Sequence, residues 1–400
     1  MARIAIAWEL GTALGHAGCF LPVARKLREM GHEVILIVRE LHDMETLLRG
    51  QGFALLQAPI WLRSHPELGQ SPLNYSDILA RHGYLAAEGL MSLMRAWLGL
   101  WSLLRPDLIV AEYAPTALLS ARAAAVPAVM LGTGFYSPPR LTPLPDMRSW
   151  QAAPEGVLAA IDAHMLGVVN TCLSALKRPP LASMAGLFDV REDFLCTFAE
   201  LDHYEGRGPT GYWGPLFLRD LGDAVAWPAG VGKRVFLYAR SEYRGLDALL
   251  RALDNAGCRV VAYVQGLSAV PEAIAGNPRF ALAREAVRLS PLLDDCDLVI
   301  CHANFGVTNA ALLHGVPLLL LPMQLEQYLL AMAAQRLGTA VVVHPEQAAP
   351  DYAVLLADLL HTESYAQAAH RWAAGHAGYQ VDETASRIAA RMDEVLRGGA

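Results

Sequence analysis

The sequence predicts an α/β protein built from two doubly wound domains, each a parallel sheet with helices on both faces. The chain has 400 residues, more than one hydrophobic core usually supports, and 54% of them are apolar. Short apolar runs alternate with helical patterns in both halves. A stretch dense in Gly and Pro lies between the halves. These observations favour two similar domains joined by a linker.

The elements follow in order along the chain. Short runs rich in apolar and β-branched residues predict strands over 3–7, 33–38, 107–111 and 128–131, and then over 235–238, 259–264, 297–301, 317–321 and 340–343. We assign residues 1–205 to an N-terminal domain, 206–232 to the linker and 233–400 to a C-terminal domain, whose final helix can cross back. Ligands are expected at the carboxyl ends of both sheets, facing a central cleft.

Charge and cysteine content restrict the partners and the compartment. The formal charge of −7 disfavours nucleic acid, which is bound by positive charge. Six cysteines without a CxxC pair indicate reduced thiols and a cytoplasmic, soluble protein. The apolar stretch 84–104 contains Glu88 and Arg95, so a core helix is favoured over a helix that skims a membrane, and stable membrane insertion is not expected. The oligomeric state is left open.

The segment 297–327, DLVICHANFGVTNAALLHGVPLLLLPMQLEQ, has the pattern of strand, loop, helix, turn, strand and helix. Its HANFG loop precedes a predicted helix. Because the first backbone N–H groups of a helix lack partners within it and the helix dipole is positive there, this loop favours a phosphate. The candidate phosphate-binding residues here are His302, Asn304, Phe305, Gly306, Val307 and Thr308.

On these residues the chain resembles the GT-B glycosyltransferases of the UDP-glycosyltransferase family (family 1), particularly bacterial members that modify natural products. The resemblance implies two Rossmann-like domains, of which residues 1–205 bind the acceptor and residues 233–400 bind the nucleotide sugar. It also implies a nucleotide-diphosphate sugar, with UDP or dTDP, as co-substrate without any other cofactor. It implies that His302 binds the diphosphate and that Glu326 and Gln327 bind the sugar hydroxyls.

The chain departs from the family pattern inside this motif. Asn304 stands where many members have Gly, Val307 where many have Ser or Thr, and Ala310 where many have a ribose-binding Glu. Thr308 and Asn309 are the residues that could replace the missing ribose contacts.

Further donor contacts are expected from neighbouring segments. Arg288, or alternatively Arg284, lies where the family brackets the base, and a guanidinium plane can stack there. Arg240 and Ser241 follow a predicted strand and could reach the diphosphate.

The first half carries a glycine loop, ELGTALGHAGCF, between a strand and a helix. Its glycines do not follow the GxGxxG spacing, which disfavours a nicotinamide enzyme. The resemblance implies that His16 is the general base for the acceptor and that Glu112 takes the place of the Asp that orients it. Alternatively, Glu112 caps the helix that begins near Pro115.

Acceptor contacts are expected from Gly15, Trp61 and Phe135, and the aromatic content of 61–136 favours a hydrophobic acceptor, although aromatics at this spacing also form cores. Asp295 and Asp297 form a DxD pattern, but their position before a buried strand indicates a turn, so no metal site is assigned.

Taken together, these patterns predict an inverting glycosyltransferase that uses a nucleotide-diphosphate sugar and acts on a hydroxyl of a hydrophobic small molecule. A non-catalytic GT-B binding protein is the alternative favoured by Asn304, Val307 and Ala310. A nucleotide-sugar epimerase on the same fold is disfavoured by the Gly15-His16 pair.

Overall fold

The structure is a computed structural model that describes residues 1–12, 15–69, 71–148, 150–204, 206–208, 210–218, 222–345 and 350–398. The chain forms two compact units. The first contains Met1–Leu216 and Gln380–Ala400, and the second contains Phe217–Tyr379. The division between Leu216 and Phe217 falls inside the predicted linker 206–232, of which residues 209 and 219–221 lie outside the described residues.

A six-stranded parallel sheet forms the centre of the first unit, with the order β3-β2-β1-β4-β5-β6. Its strands are β1 (Arg3–Trp8), β2 (Glu33–Val38), β3 (Ala54–Gln57), β4 (Leu108–Glu112), β5 (Ala128–Gly132) and β6 (Asp193–Leu195). Its helices are α1 (Gly15–Glu29), α2 (Leu41–Leu47), α3 (Tyr75–Leu79), α4 (Ala87–Leu104), α5 (Pro115–Ala124) and α6 (Val157–Ala175).

The second unit repeats this architecture, with the strand order β12-β11-β10-β7-β8-β9 and parallel pairing throughout. Its strands are β7 (Arg234–Arg240), β8 (Arg259–Gln265), β9 (Phe280–Ala283), β10 (Leu298–Cys301), β11 (Leu318–Leu320) and β12 (Ala340–Val342). Its helices are α7 (Leu246–Asn255), α8 (Leu289–Leu293), α9 (Phe305–Leu313), α10 (Leu325–Arg336), α11 (Tyr352–His361) and α12 (Glu363–Gly375).

A final helix, α13 (Val381–Leu396), belongs to the first unit, although it follows the second unit in the sequence. It packs against α1, and its Arg391 Nη2 lies 2.9 Å from Glu192 Oε2. The sequence places this helix at the end of the predicted C-terminal domain, residues 233–400, from which it can cross back to the other domain. In the structure its packing partners are those of the first unit.

Two doubly wound α/β units confirm the predicted fold class. The nine predicted strands all occur, with ends that differ by at most two residues. Three strands were not predicted from the sequence: β3, β6 and β9, which are short strands at sheet edges. Edge strands have fewer buried positions, so their hydrophobic pattern is weak.

The apolar stretch before residue 104 forms α4, whose Leu90, Leu93, Met94, Trp97 and Trp101 are buried at helical spacing. This confirms the core-helix interpretation. A different helix, α6, is long and apolar enough to cross a membrane by length and composition, a criterion that core helices also meet, and 33% of its apolar window is buried.

Replacing either of two glycines before β7 with alanine should lower the stability of the protein, but to different extents. Gly230 and Gly232 both have positive φ, 111° and 124°, but only at Gly232 would a Cβ collide with a backbone atom, 2.2 Å from the Gly257 oxygen. We expect Gly230→Ala to lower the free energy of unfolding by about 1 kcal/mol and Gly232→Ala by roughly 2–4 kcal/mol. Urea unfolding measures both, and equal losses would contradict the predicted clash.

Candidate active site

His16 and Glu112 lie together at the carboxyl edge of the first sheet. Trp8 at the end of β1 is in register with Glu112 at the end of β4, and α1 carries His16 back over this edge. His16 Nδ1 lies 2.8 Å from Glu112 Oε1 and 3.1 Å from Oε2. Glu112 is fully buried and His16 is 5% exposed. A carboxylate at Nδ1 fixes the ring orientation and favours a proton on Nδ1.

Glu112 is not the cap of α5. The backbone N–H groups of Thr116 and Ala117 donate instead to Glu9 Oε2, at 2.9 and 3.3 Å. The capping alternative for Glu112 is therefore wrong, because a different carboxylate occupies that position. Glu9 was not predicted from the sequence, although an acidic residue directly after a buried strand is a signal that could have identified it.

Aromatic rings surround His16. Trp8 stacks on it with ring centres 5.0 Å apart, Tyr136 lies at 5.3 Å and Tyr113 at 6.0 Å. A Cβ built on Gly11 would lie 2.1 Å from His16 Nε2. Position 11 therefore requires glycine, because the Cβ of any other residue would collide with the imidazole.

The structure places the three expected acceptor residues in different surroundings. Gly15 is exposed and directly precedes His16. Phe135 is buried and contacts Tyr113 and Tyr136 edge to face, one ring removed from His16. Trp61 instead stacks on His65 and donates its Nε1–H to it, so among the described ring contacts it does not join the aromatic group around His16. Residues 13 and 14 of the glycine loop lie outside the described residues.

In the second unit, the HANFG loop connects β10 to α9 as predicted. Asn304 precedes α9 without a side-chain cap, and its Oδ1 is buried without a hydrogen-bond partner among the described residues. The N–H groups of the first helical turn, which begins at Phe305 and includes Gly306 and Val307, have no partners within the helix. Phe217 packs on this turn, since a Cβ at Gly306 would lie 3.3 Å from the Phe217 Cβ.

The side chain of His302 is used by the fold itself. Its Nδ1 donates to the Leu321 carbonyl at 2.7 Å, and its Nε2 accepts the Arg240 N–H at 3.0 Å. The ring is fully buried, and this burial lowers its pKa. The structure therefore contradicts the expectation of a free imidazole nitrogen for phosphate, because both nitrogens hold backbone groups of neighbouring strand ends.

Thr308 and Asn309 also point into the protein. Both are fully buried, with Thr308 Oγ1 3.7 Å from Cys301 Sγ and Asn309 Nδ2 donating to the Phe305 carbonyl. A ribose contact requires exposed side chains, so the structure argues against these residues as substitutes for the missing ribose contacts.

The other expected donor residues share the carboxyl edge of the second sheet. Glu326 and Gln327 lie in the first turn of α10, where Gln327 Oε1 accepts the Met323 N–H at 2.9 Å. Arg240 is the last residue of β7 and Ser241 follows it, and Arg240 pairs with Glu242 at 2.8 Å. Arg288 is exposed and precedes α8, beyond edge strand β9.

Asp295 and Asp297 are paired with basic side chains. Asp295 Oδ1 lies 2.8 Å from Arg234 Nη1, and Asp297 Oδ1 lies 2.9 Å from Lys233 Nζ. Within the described parts of the chain, no three His, Cys, Asp or Glu side chains are arranged to hold a metal ion.

The two backbone contacts of His302 predict its protonation. We expect a neutral ring with the proton on Nδ1 that does not titrate at its ordinary pKa of 6.5. Because the folded pKa lies below the unfolded one, this group makes the protein less stable as the pH falls below 6.5. Nitrogen-15 NMR of the ring tests this, with the His302 signals identified by their loss in His302→Gln. Titration near 6.5, or a proton on Nε2, would contradict it.

No family model matches the chain. Among curated proteins, it is 24% identical over 287 residues to a PGL/p-HBAD biosynthesis glycosyltransferase of Mycobacterium tuberculosis, a match that covers 67% of this chain and only 66% of that protein, just under two thirds. It is 23% identical over 323 residues to a PGL/p-HBAD biosynthesis rhamnosyltransferase of Mycobacterium bovis, covering 74% of this chain and 69% of the relative.

Solved glycosyltransferase structures share the fold over almost the whole chain. A spinosyn rhamnosyltransferase superposes with a TM-score of 0.68 at 17% identity, covering 98% of this chain and 100% of the other. A Streptomyces sp. SF2575 glycosyltransferase complexed with thymidine diphosphate has a TM-score of 0.64 at 20% identity, with coverage of 98% and 100%. These comparisons agree with the resemblance seen in the motifs: the chain has the GT-B fold and is related in sequence to glycosyltransferases.

Proposed function

We propose that the chain is an inverting glycosyltransferase, which moves a sugar from a nucleotide-diphosphate sugar to a hydroxyl of a hydrophobic small molecule. The observation that carries the proposal is the buried pair of His16 and Glu112, with Nδ1 and Oε1 2.8 Å apart. A histidine oriented in this way can accept a proton near neutral pH. The curated relatives, which include a rhamnosyltransferase, support the reaction class.

In the proposed reaction, the acceptor oxygen forms a bond to the anomeric carbon while its proton moves to His16 Nε2. The bond between that carbon and the diphosphate oxygen breaks on the opposite face, so the configuration inverts. Glu112 stabilises the imidazolium by accepting from Nδ1–H. The nucleoside diphosphate leaves with the bonding electrons, and the transition state resembles an oxocarbenium ion.

The diphosphate is proposed to bind at the first turn of α9, through backbone N–H groups and the helix dipole. Phe305, Gly306 and Val307 supply these groups. Asn304 keeps its Oδ1 buried, which leaves its amide N–H₂ as the side-chain donor toward phosphate. His302 holds this loop in place through its hydrogen bonds to the Leu321 carbonyl and the Arg240 N–H. Glu326 and Gln327 are proposed for the sugar, Arg240 and Ser241 for the diphosphate and Arg288 for the base.

Two relatives in the structural comparison support the classes of ligand. One was solved with thymidine diphosphate, which favours dTDP or the chemically similar UDP as the nucleotide, and another with a spinosyn aglycone, which favours a hydrophobic acceptor. The aromatic rings of Trp8, Tyr113 and Tyr136 beside His16 suit an apolar acceptor with a hydroxyl group. All six cysteines are free, as expected in a reducing cytoplasm.

The non-catalytic alternative has less support. A binding protein has no need for a buried carboxylate joined to a histidine, because burying a charged group costs free energy unless it is well paired. An epimerase would use carboxylates around the sugar. In the described chain, the carboxylate and base pair belongs to the first unit, whereas the predicted donor loop belongs to the second.

The dyad makes a direct kinetic prediction. His16→Ala should lower kcat by about 10²–10⁴ while nucleotide affinity stays the same, because the base acts only in the transition state. Glu112→Gln should also lower kcat. The double variant should lose less than the two single losses combined, since the residues act as a unit. Transfer kinetics at saturating donor measure all three variants.

Glycine variants provide a matched control. Gly11→Ala places a Cβ against His16 Nε2 and should lower kcat, whereas Gly31→Ala, also at positive φ but with open space around its Cβ, should not. Full turnover by His16→Ala would disprove the proposed mechanism.

The donor site predicts nucleotide binding without metal. We expect UDP or dTDP to bind with micromolar-order affinity, roughly 8 kcal/mol, and transfer to persist in chelator. Calorimetry with UDP, dTDP and GDP, and assays with and without EDTA, measure these properties. Absence of binding at millimolar nucleotide would refute the donor site. Recovery of chelated enzyme by Mn²⁺ or Mg²⁺ would refute metal independence.

A further inference from the structure

Glu9 is a buried carboxylate that the proposed reaction does not use. It follows β1 directly, and its side chain is 1% exposed. Its Oε2 accepts from the Thr116 and Ala117 N–H groups at 2.9 and 3.3 Å. Arg39 bonds to the backbone carbonyl of Glu9, at 3.2 Å, and no ion pair reaches the carboxylate within the described residues. The Thr116 side chain and the backbone N–H groups of Thr116 and Ala117 are therefore its direct partners.

These contacts hold the loop between β4 and α5. Pro115 starts α5, and Ala114 before it provides no side-chain cap. Glu9, which lies more than one hundred residues earlier in the chain, supplies this cap. Next to it, the Leu10 N–H donates to the Tyr113 carbonyl at 3.0 Å. Tyr113 has a φ of 45°, a left-handed conformation that non-glycine residues adopt only when surrounding contacts hold it.

The fixed loop directly follows Glu112, the last residue of β4. The segment at the end of β1 also contacts the other member of the dyad, because Trp8 stacks on His16 and donates its Nε1–H to the Leu10 carbonyl at 2.7 Å. Trp8, Glu9 and Leu10 thus contact both the base and the loop that follows its orienting carboxylate.

We infer that Glu9 is a positioning residue for the His16–Glu112 pair: its carboxylate anchors the first turn of α5 and thereby holds Glu112 against the imidazole. This inference rests on the proposed function for its kinetic consequence. The structural part of the inference is the effect of Glu9 on the contact between His16 Nδ1 and Glu112 Oε1, and it does not depend on the reaction.

Because Glu9 titrates, its effect can be followed through the pH dependence of stability, to which a neutral helix cap would not contribute. Burial raises its pKa from 4.5 to about 7, while the Thr116 and Ala117 contacts and the Arg39 charge oppose the rise. The other titratable groups around it are Tyr75 and Tyr84, whose pKa values are raised so that they stay neutral, and the His16–Glu112 pair on the adjacent strand end.

The sign of the stability effect follows from this rise. The folded protein holds the Glu9 proton more tightly than the unfolded chain, so this group makes the protein less stable as the pH rises from 4.5 to about 7. Glu9→Gln removes that loss. The melting temperature of Glu9→Gln relative to the wild type should therefore increase over this pH range.

The test is Glu9→Gln, with Asp162→Asn as a matched control. Asp162 is another buried carboxylate of the first unit, and its described hydrogen bonds are to the Leu144 N–H, at 2.7 Å, and the Asn74 side chain, at 3.1 Å, and not to the dyad. We expect Glu9→Gln to lower kcat about tenfold with unchanged nucleotide affinity, the effect of a small misplacement of the dyad. Asp162→Asn should keep kcat within about twofold.

Proton NMR of the His16 Nδ1–H signal gives the readout that is independent of activity. We expect this signal, identified by its loss in His16→Ala, to shift or broaden in Glu9→Gln and to stay unchanged in Asp162→Asn. Wild-type kcat together with a wild-type Nδ1–H signal in Glu9→Gln would overturn the inference and leave the proposed function intact. A wild type without transferase activity would refute the proposed function, and the NMR comparison would still decide the role of Glu9.

Discussion

The parallel register between β1 and β4 is the constraint on which the candidate active site depends. It sets Trp8 opposite Glu112, so the residues that follow both strands meet at one edge of the sheet. A shift of one residue would turn Glu112 to the other face of the sheet and separate it from His16. The register is fixed because both strands are buried, with Ile4, Ile6, Leu108 and Val110 almost fully inaccessible.

The central strands and the dyad could be predicted from the sequence for related reasons. Continuous apolar runs identify buried parallel strands, and the topology of such sheets brings their carboxyl ends together. His16 and Glu112 each follow a recognisable strand, so the sequence could pair them although 96 residues separate them. The edge strand β9 could not be found in this way, because all of its residues are only half-buried.

The errors at the donor loop have a different origin. His302 follows a strand as expected, but its two hydrogen bonds go to backbone groups of Arg240, at the end of β7, and Leu321, directly after β11. Residue type alone does not distinguish an imidazole that binds a ligand from one that joins three strand ends. The role of Glu9 could not be predicted from the sequence either, because its partners on α5 are known only once the loop conformation is known.

The membership of α13 in the first unit affects the order in which the chain can fold during synthesis. Residues of this helix leave the ribosome after the whole of Phe217–Tyr379, yet their partners, including α1 and Glu192, are synthesised long before. The second unit is contiguous in sequence and can complete its core first. Until α13 arrives, the face of α1 that it covers stays open to solvent or to a chaperone, and translation rate thereby sets how long that exposure lasts.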